Sequence, residues 1–103
     1  MSTYLSLACL DHDPPLVAED ESGQHEYDLP NIRADLRDRD VLVRLWDEDP
    51  GMQNYFRNHT CRFLARHRDC RLGIVSEYGD WYATTGDDAT RYETPEQASD
   101  ASR

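Results

Sequence analysis

The stretch "ACLDH", residues 8–12, sets a cysteine and a histidine three positions apart, and "ARHRDC", residues 65–70, repeats the pair in the opposite order. Thiolate sulfur and imidazole nitrogen are the donors that zinc takes in tetrahedral structural sites. Two such donors with two residues between them can share one ion, because a tight turn aims both at one point. Cys9, His12, His67 and Cys70 therefore predict a single Cys2His2 site holding one Zn2+ per chain. Four protein ligands leave no position for water, so the predicted zinc organises the fold and no catalytic residue is assigned. The amides around residues 10–11 and 68–69 are expected to donate to the thiolates. The competing reading makes both cysteines small buried hydrophobes and both histidines surface residues.

Two more residues share this chemistry. Cys61 reads as a core thiol, with ligand replacement or an oxidative pairing with Cys70 as alternatives. His59 reads as a core-edge histidine, with a supporting or competing ligand role as the alternative. His25 falls in a polar loop.

The elements that must position these groups are legible in part. The segment 3–20, "TYLSLACLDHDPPLVAED", predicts two short strands around a knuckle, since Pro14 and Pro15 oppose a helix. Residues 19–28 read as a polar loop. A helix is expected next, with Asp28 as N-cap, Pro30 in the first turn and a stop at Pro50-Gly51. Its apolar stripe of Ile32, Leu36, Val43 and Trp46 is interrupted at Arg39 and Asp40, which predicts a break near 39. Met52, Tyr55, Phe56, His59, Phe63 and His67 follow spacings of 3 and 4 and predict a second helix ending at the His67 pair. "RLGIVSEYGDWYATT" predicts a hairpin turning at Gly79-Asp80. No apolar periodicity is visible from Thr84 onward.

At 103 residues the chain fits one domain, but only 38% of it is hydrophobic and 31% is charged. A metal cross-link would supply stability that so small a core lacks. The net charge is −10 and uneven. Residues 1–50 carry −9, residues 51–76 carry +4 and residues 77–103 carry −5. Phosphate is repelled overall, so a protein partner is favoured over nucleic acid. All 11 basic residues are arginine, which points to a GC-rich bacterium or its phage. Three cysteines do not close into disulfides, and no signal sequence or membrane span is apparent. The cytoplasm is the expected compartment, the host cytoplasm if the chain is phage-encoded.

Two other functions compete. Asp11, His12, Pro15, Leu16 and Asn31 are similar to the opening of HNH-type nucleases, in which a histidine activates water beside a divalent metal. The pattern departs where Arg39 stands in place of a late His or Asn. A strongly acidic small chain also fits a DNA mimic that inhibits a host DNA-binding or defence enzyme.

"CRFLARHRDCRLGIVSEYG", with "ACLDH" ahead of it, resembles small Cys/His zinc-knuckle proteins of actinobacteria and their phages over residues 5–82. The resemblance implies the metal site at Cys9, His12, His67 and Cys70 and carries no activity with it. The combined expectation is an α+β domain over residues 1–83: a short N-terminal β-hairpin and knuckle, two helices and a C-terminal β-hairpin, held by one structural zinc. A flexible acidic tail is expected over 84–103. The expected function is that of a non-catalytic, zinc-binding accessory protein that acts through protein–protein contacts.

Overall fold

The computed structural model describes residues 4–18, 28–53 and 59–101. Strand β1, Leu5–Cys9, is buried along its whole length. Alternate side chains of a strand point to opposite faces, so a fully buried strand needs cover on both. Leu5, Leu7 and Cys9 enter one apolar cluster and Ala8 enters another. β1 pairs with β2, Leu16–Val17, and with β3, Leu72–Ser76, which in turn pairs with β4, Trp81–Tyr82. The sheet order is β2-β1-β3-β4, antiparallel throughout. The two predicted hairpins are thus joined into one sheet through β1 and β3. The first hairpin's loop contains a cis Asp13–Pro14 peptide, and the second turns through Gly79 at φ +86°.

One face of the sheet carries the helices. Helix α1, Leu29–Arg37, is followed by α2, Arg39–Glu48, with only Asp38 between them. This is the break predicted near residue 39. Asp28 stands at the N-cap of α1 without a side-chain bond to the backbone; its carboxylate instead accepts from Asn31 Nδ2 at 3.3 Å. A short turn of helix, α3, covers Pro50–Gln53, and α4 spans His59–Arg66. The part of the predicted second helix around Tyr55 and Phe56 lies outside the described residues, as does His25. Ile32, Phe63 and Leu64 pack with Leu5, Leu7 and Ile74 to form the main core.

The opposite face overturns one expectation. Residues 84–101 are not a flexible tail. Tyr92 exchanges two backbone hydrogen bonds of 2.8 Å with Trp81. Helix α5, Pro95–Ala101, sets Ala98 against Ala8, Val75 and Trp81, with Ala98 only 4% exposed. Thr94 caps the helix by accepting from Gln97 N at 3.2 Å, and the Gln97 side chain reaches back to Glu93 N at 3.1 Å. The sheet's second face is apolar and must be covered; Ala98 and Tyr92 do this from the C-terminal segment, where no periodic stripe exists. A Cβ on Gly73 would stand 3.0 Å from the Trp81 ring, so the bare backbone there leaves room for the indole. No helix among the described residues is long and apolar enough to cross a membrane.

Two expected results follow. Ala98→Glu buries a charge under α5 and undocks it. Limited proteolysis within residues 91–101 then accelerates by about an order of magnitude while the main core stays folded; an unchanged cleavage rate would mean that α5 does not need this contact. Asp88 provides a pH test. Its carboxylate accepts from Thr90 Oγ1 at 2.6 Å and Thr90 N at 3.0 Å, and these bonds hold its carboxyl below the usual value of 3.8. A carboxyl depressed on folding stabilises above its unfolded value, and that stability is lost as pH falls through the folded value. Asp88→Asn therefore shrinks the drop in Tm between about pH 6 and about pH 3 relative to the unchanged protein.

Candidate metal centre

Cys9 ends β1 directly opposite Leu72, the first residue of β3. The ladder continues one step further, with Leu10 N donating to Arg71 O at 2.8 Å. The Asp11 carboxylate then accepts from Arg71 N at 3.0 Å and from Arg71 Nε at 3.2 Å. These bonds fasten the turn after β1 to the segment before β3. That segment is the His67–Cys70 pair. His67 closes the last helical bond of α4, donating its amide to Phe63 O at 3.1 Å, and Cys70 N donates back to His67 O at 3.1 Å. One turn of backbone thus aims both side chains at the end of β1.

The result is a cluster. One ligand atom each of Cys9, His67 and Cys70 lies within 4.8 Å of the others, and no other group of three such residues is found among the described residues. Cys9 is fully buried and His67 is 7% exposed, while Cys70 is half-buried. Tetrahedral zinc, with bonds of about 2.3 Å to sulfur and 2.0 Å to nitrogen, sets its ligand atoms roughly 3.5–4 Å apart. A contraction of about 1 Å therefore brings this trio onto an ion. Burial pushes the Cys70 thiol up to about 11, and the adjoining Cys9 sulfur and Asp11 carboxylate add to the effect. Two thiols and a carboxylate crowd one spot, an arrangement in which a dication reverses the local proton preference.

His12 stands apart from the trio. It is exposed, on the turn after β1, with its ring centroid 5.8 Å from that of His67 and an interplanar angle of 74°. Two imidazoles on one tetrahedral zinc have centroids about 5 Å apart, so His12 is adjacent to a fourth ligand position without occupying it. Of the four predicted ligands, three are gathered and one is a neighbour. Cys61 is buried in α4 and belongs to no such cluster; burial, with Asp35 nearby, raises its thiol. The expected amide donors differ as well. Leu10 N serves the Arg71 carbonyl and not a thiolate.

Three supporting residues escaped the sequence reading. Asp11 locks the two motifs together, as described above. The Phe63 ring lies 4.4 Å from the His67 ring, centroid to centroid, and backs it. Arg39 Nη2 donates to Cys70 O at 2.9 Å and also to His67 O. This last contact carries the helical junction onto the knuckle. The one signal in the sequence was a charge interrupting an apolar stripe at 39, which marked the break but not the use made of it. No known protein family, curated protein or solved structure matches the chain.

Proposed function

We propose that the chain is a small, non-catalytic zinc-binding protein in which Cys9, His67 and Cys70, closed by His12, hold one structural Zn2+. The observation that carries the reading is the convergence of two sulfurs and a buried imidazole from segments far apart in sequence. Soft thiolates beside imidazole favour zinc over the harder divalent ions. His12 reaches the fourth position by turning toward His67. The ion then pins the end of β1 to the exit of α4, the junction that sets the sheet against its helices. With the fourth position filled, no water is activated and no reaction is assigned. The net charge of −10 favours a protein over a nucleic acid as the partner of the finished domain.

Cobalt(II) substitution tests the ligand set. The expected spectrum is tetrahedral with thiolate charge-transfer bands, which vanish in Cys9→Ser and shift in His12→Ala as water enters. A His12→Ala spectrum identical to the parent's would defeat the four-ligand reading and leave a three-ligand site. Arg39→Gln is expected to weaken zinc binding about 10–100-fold by freeing the knuckle carbonyls, as loss of supporting bonds around a metal does. Its cobalt spectrum stays tetrahedral, because no ligand is lost; competition with a chromophoric chelator measures the affinity.

A further inference from the structure

Among the described residues Arg33 is the one arginine or acid that is buried, at 9% exposed. Its Nε donates to Ala83 O at 2.9 Å and its Nη1 to Gly86 O at 3.0 Å, while Nη2 donates to Asp88 O. All three acceptors are neutral carbonyls. The Asp88 carboxylate is turned to Thr90, and among the described residues no carboxylate forms an ion pair with Arg33. The Asp88 charge is near enough to act on Arg33 through space, but a buried cation whose hydrogen bonds all go to neutral carbonyls is a costly arrangement, and all the more unexpected in a chain of net charge −10. Three bonds leave two of the five guanidinium N–H groups unused. Arg39 repeats the pattern, with Nη2 on two carbonyls and no carboxylate hydrogen-bonded to it among the described residues.

Both arginines line the same cleft, about 840 Å³ in volume, between α1 and residues 84–89. That volume lies within the roughly 300–1,000 Å³ range of small-molecule sites. Leu29, Ala34, Leu36 and Leu72 supply apolar wall. Arg37 stands at the edge, exposed and shared with Asp38 at 3.1 Å. Asp87 is the acid in the lining, set against three arginines. An apolar cleft whose lining holds three arginines and one acid suits an anion carried on a hydrocarbon body.

We propose that this cleft binds a small organic anion, a carboxylate carried on an apolar body of roughly six to ten carbons. The carboxylate answers the charge of Arg33 and Arg39, and the hydrocarbon covers the leucine wall. This inference stands without the zinc reading, although Arg39 touches both places, so the test uses protein saturated with zinc.

The experiment is a titration of the full chain with octanoate, 1-octanol and acetate, followed by calorimetry and by amide chemical shifts. Octanoate is expected to bind with a Kd tighter than about 1 mM, and octanol and acetate at least about tenfold more weakly. Shifts concentrate on residues 29–39 and 84–89. Ala34→Phe fills the cleft and removes binding. Arg37→Gln, at an exposed position that leaves the fold intact, weakens octanoate about threefold to tenfold and leaves octanol unchanged. Octanoate binding no better than octanol, shifts located elsewhere, or unchanged affinity in both variants would overturn the proposal.

Discussion

Cys9→Ser is expected to abolish zinc binding and to lower stability by about 4 kcal/mol or more, a large share of what a domain of this size possesses. Cys9 is fully buried at the end of β1 and belongs to the main core, so the change acts twice. It removes a thiolate ligand, and it leaves a hydroxyl where a sulfur made apolar contacts. The two effects separate in urea titrations with and without chelator. In the unchanged protein, chelator removes the metal contribution. In Cys9→Ser it removes nothing further, because no ion is bound. Equal sensitivity of both proteins to chelator would mean that the ion sits elsewhere.

Phe63→Ala is expected to lower stability by about 3–5 kcal/mol even at saturating zinc. Phe63 is 1% exposed and among the largest fully buried side chains. Its loss opens a cavity between α4 and the sheet, and it also withdraws the surface on which the His67 ring rests, 4.4 Å away between centroids. Zinc affinity should therefore fall together with the urea midpoint. Phe63→Leu keeps apolar volume and most of the stability. Tyr78→Ala is the control: this ring is 66% exposed, and its removal is expected to change stability by less than about 0.5 kcal/mol.

Both expectations rest on how the metal pairs come together, and that was only partly written in local sequence. Spacing and turn chemistry identified the knuckle after β1, the hairpin through Gly79 and the interruption of the long helix near Arg39. Spacing alone could not show that β1 pairs with β3, yet this pairing brings Cys9 beside Cys70. Cys9, His67 and Cys70 were legible because ligand types at a fixed separation form a local signal. His12 shared that signal, but its final distance depends on the turn through Asp11, which only the tertiary bonds to Arg71 fix. Arg39, Asp11 and Phe63 carry no local mark of their roles, since each acts across a tertiary contact.

The docked C-terminal segment was a different kind of omission. "TPEQ", residues 94–97, is a helix-start pattern with threonine at the cap, proline in the first turn and glutamine three positions on. The signal was present in the sequence. No apolar stripe accompanies it, because α5 covers the sheet mainly through Ala98 and the adjacent Tyr92. Arg33 was hidden for the opposite reason. A charged residue on a helix is ordinarily a solvated one, and only the fold places it under residues 83–88.

The most direct measurement is the metal content of the protein purified without chelator, by elemental analysis and native mass spectrometry, beside Cys9→Ser and Cys70→Ser. About one zinc per chain, lost in both variants together with most of their resistance to urea, is the expected result. A metal-free parent, with both variants as stable as it, would contradict the account and return Cys9, His67 and Cys70 to ordinary packing.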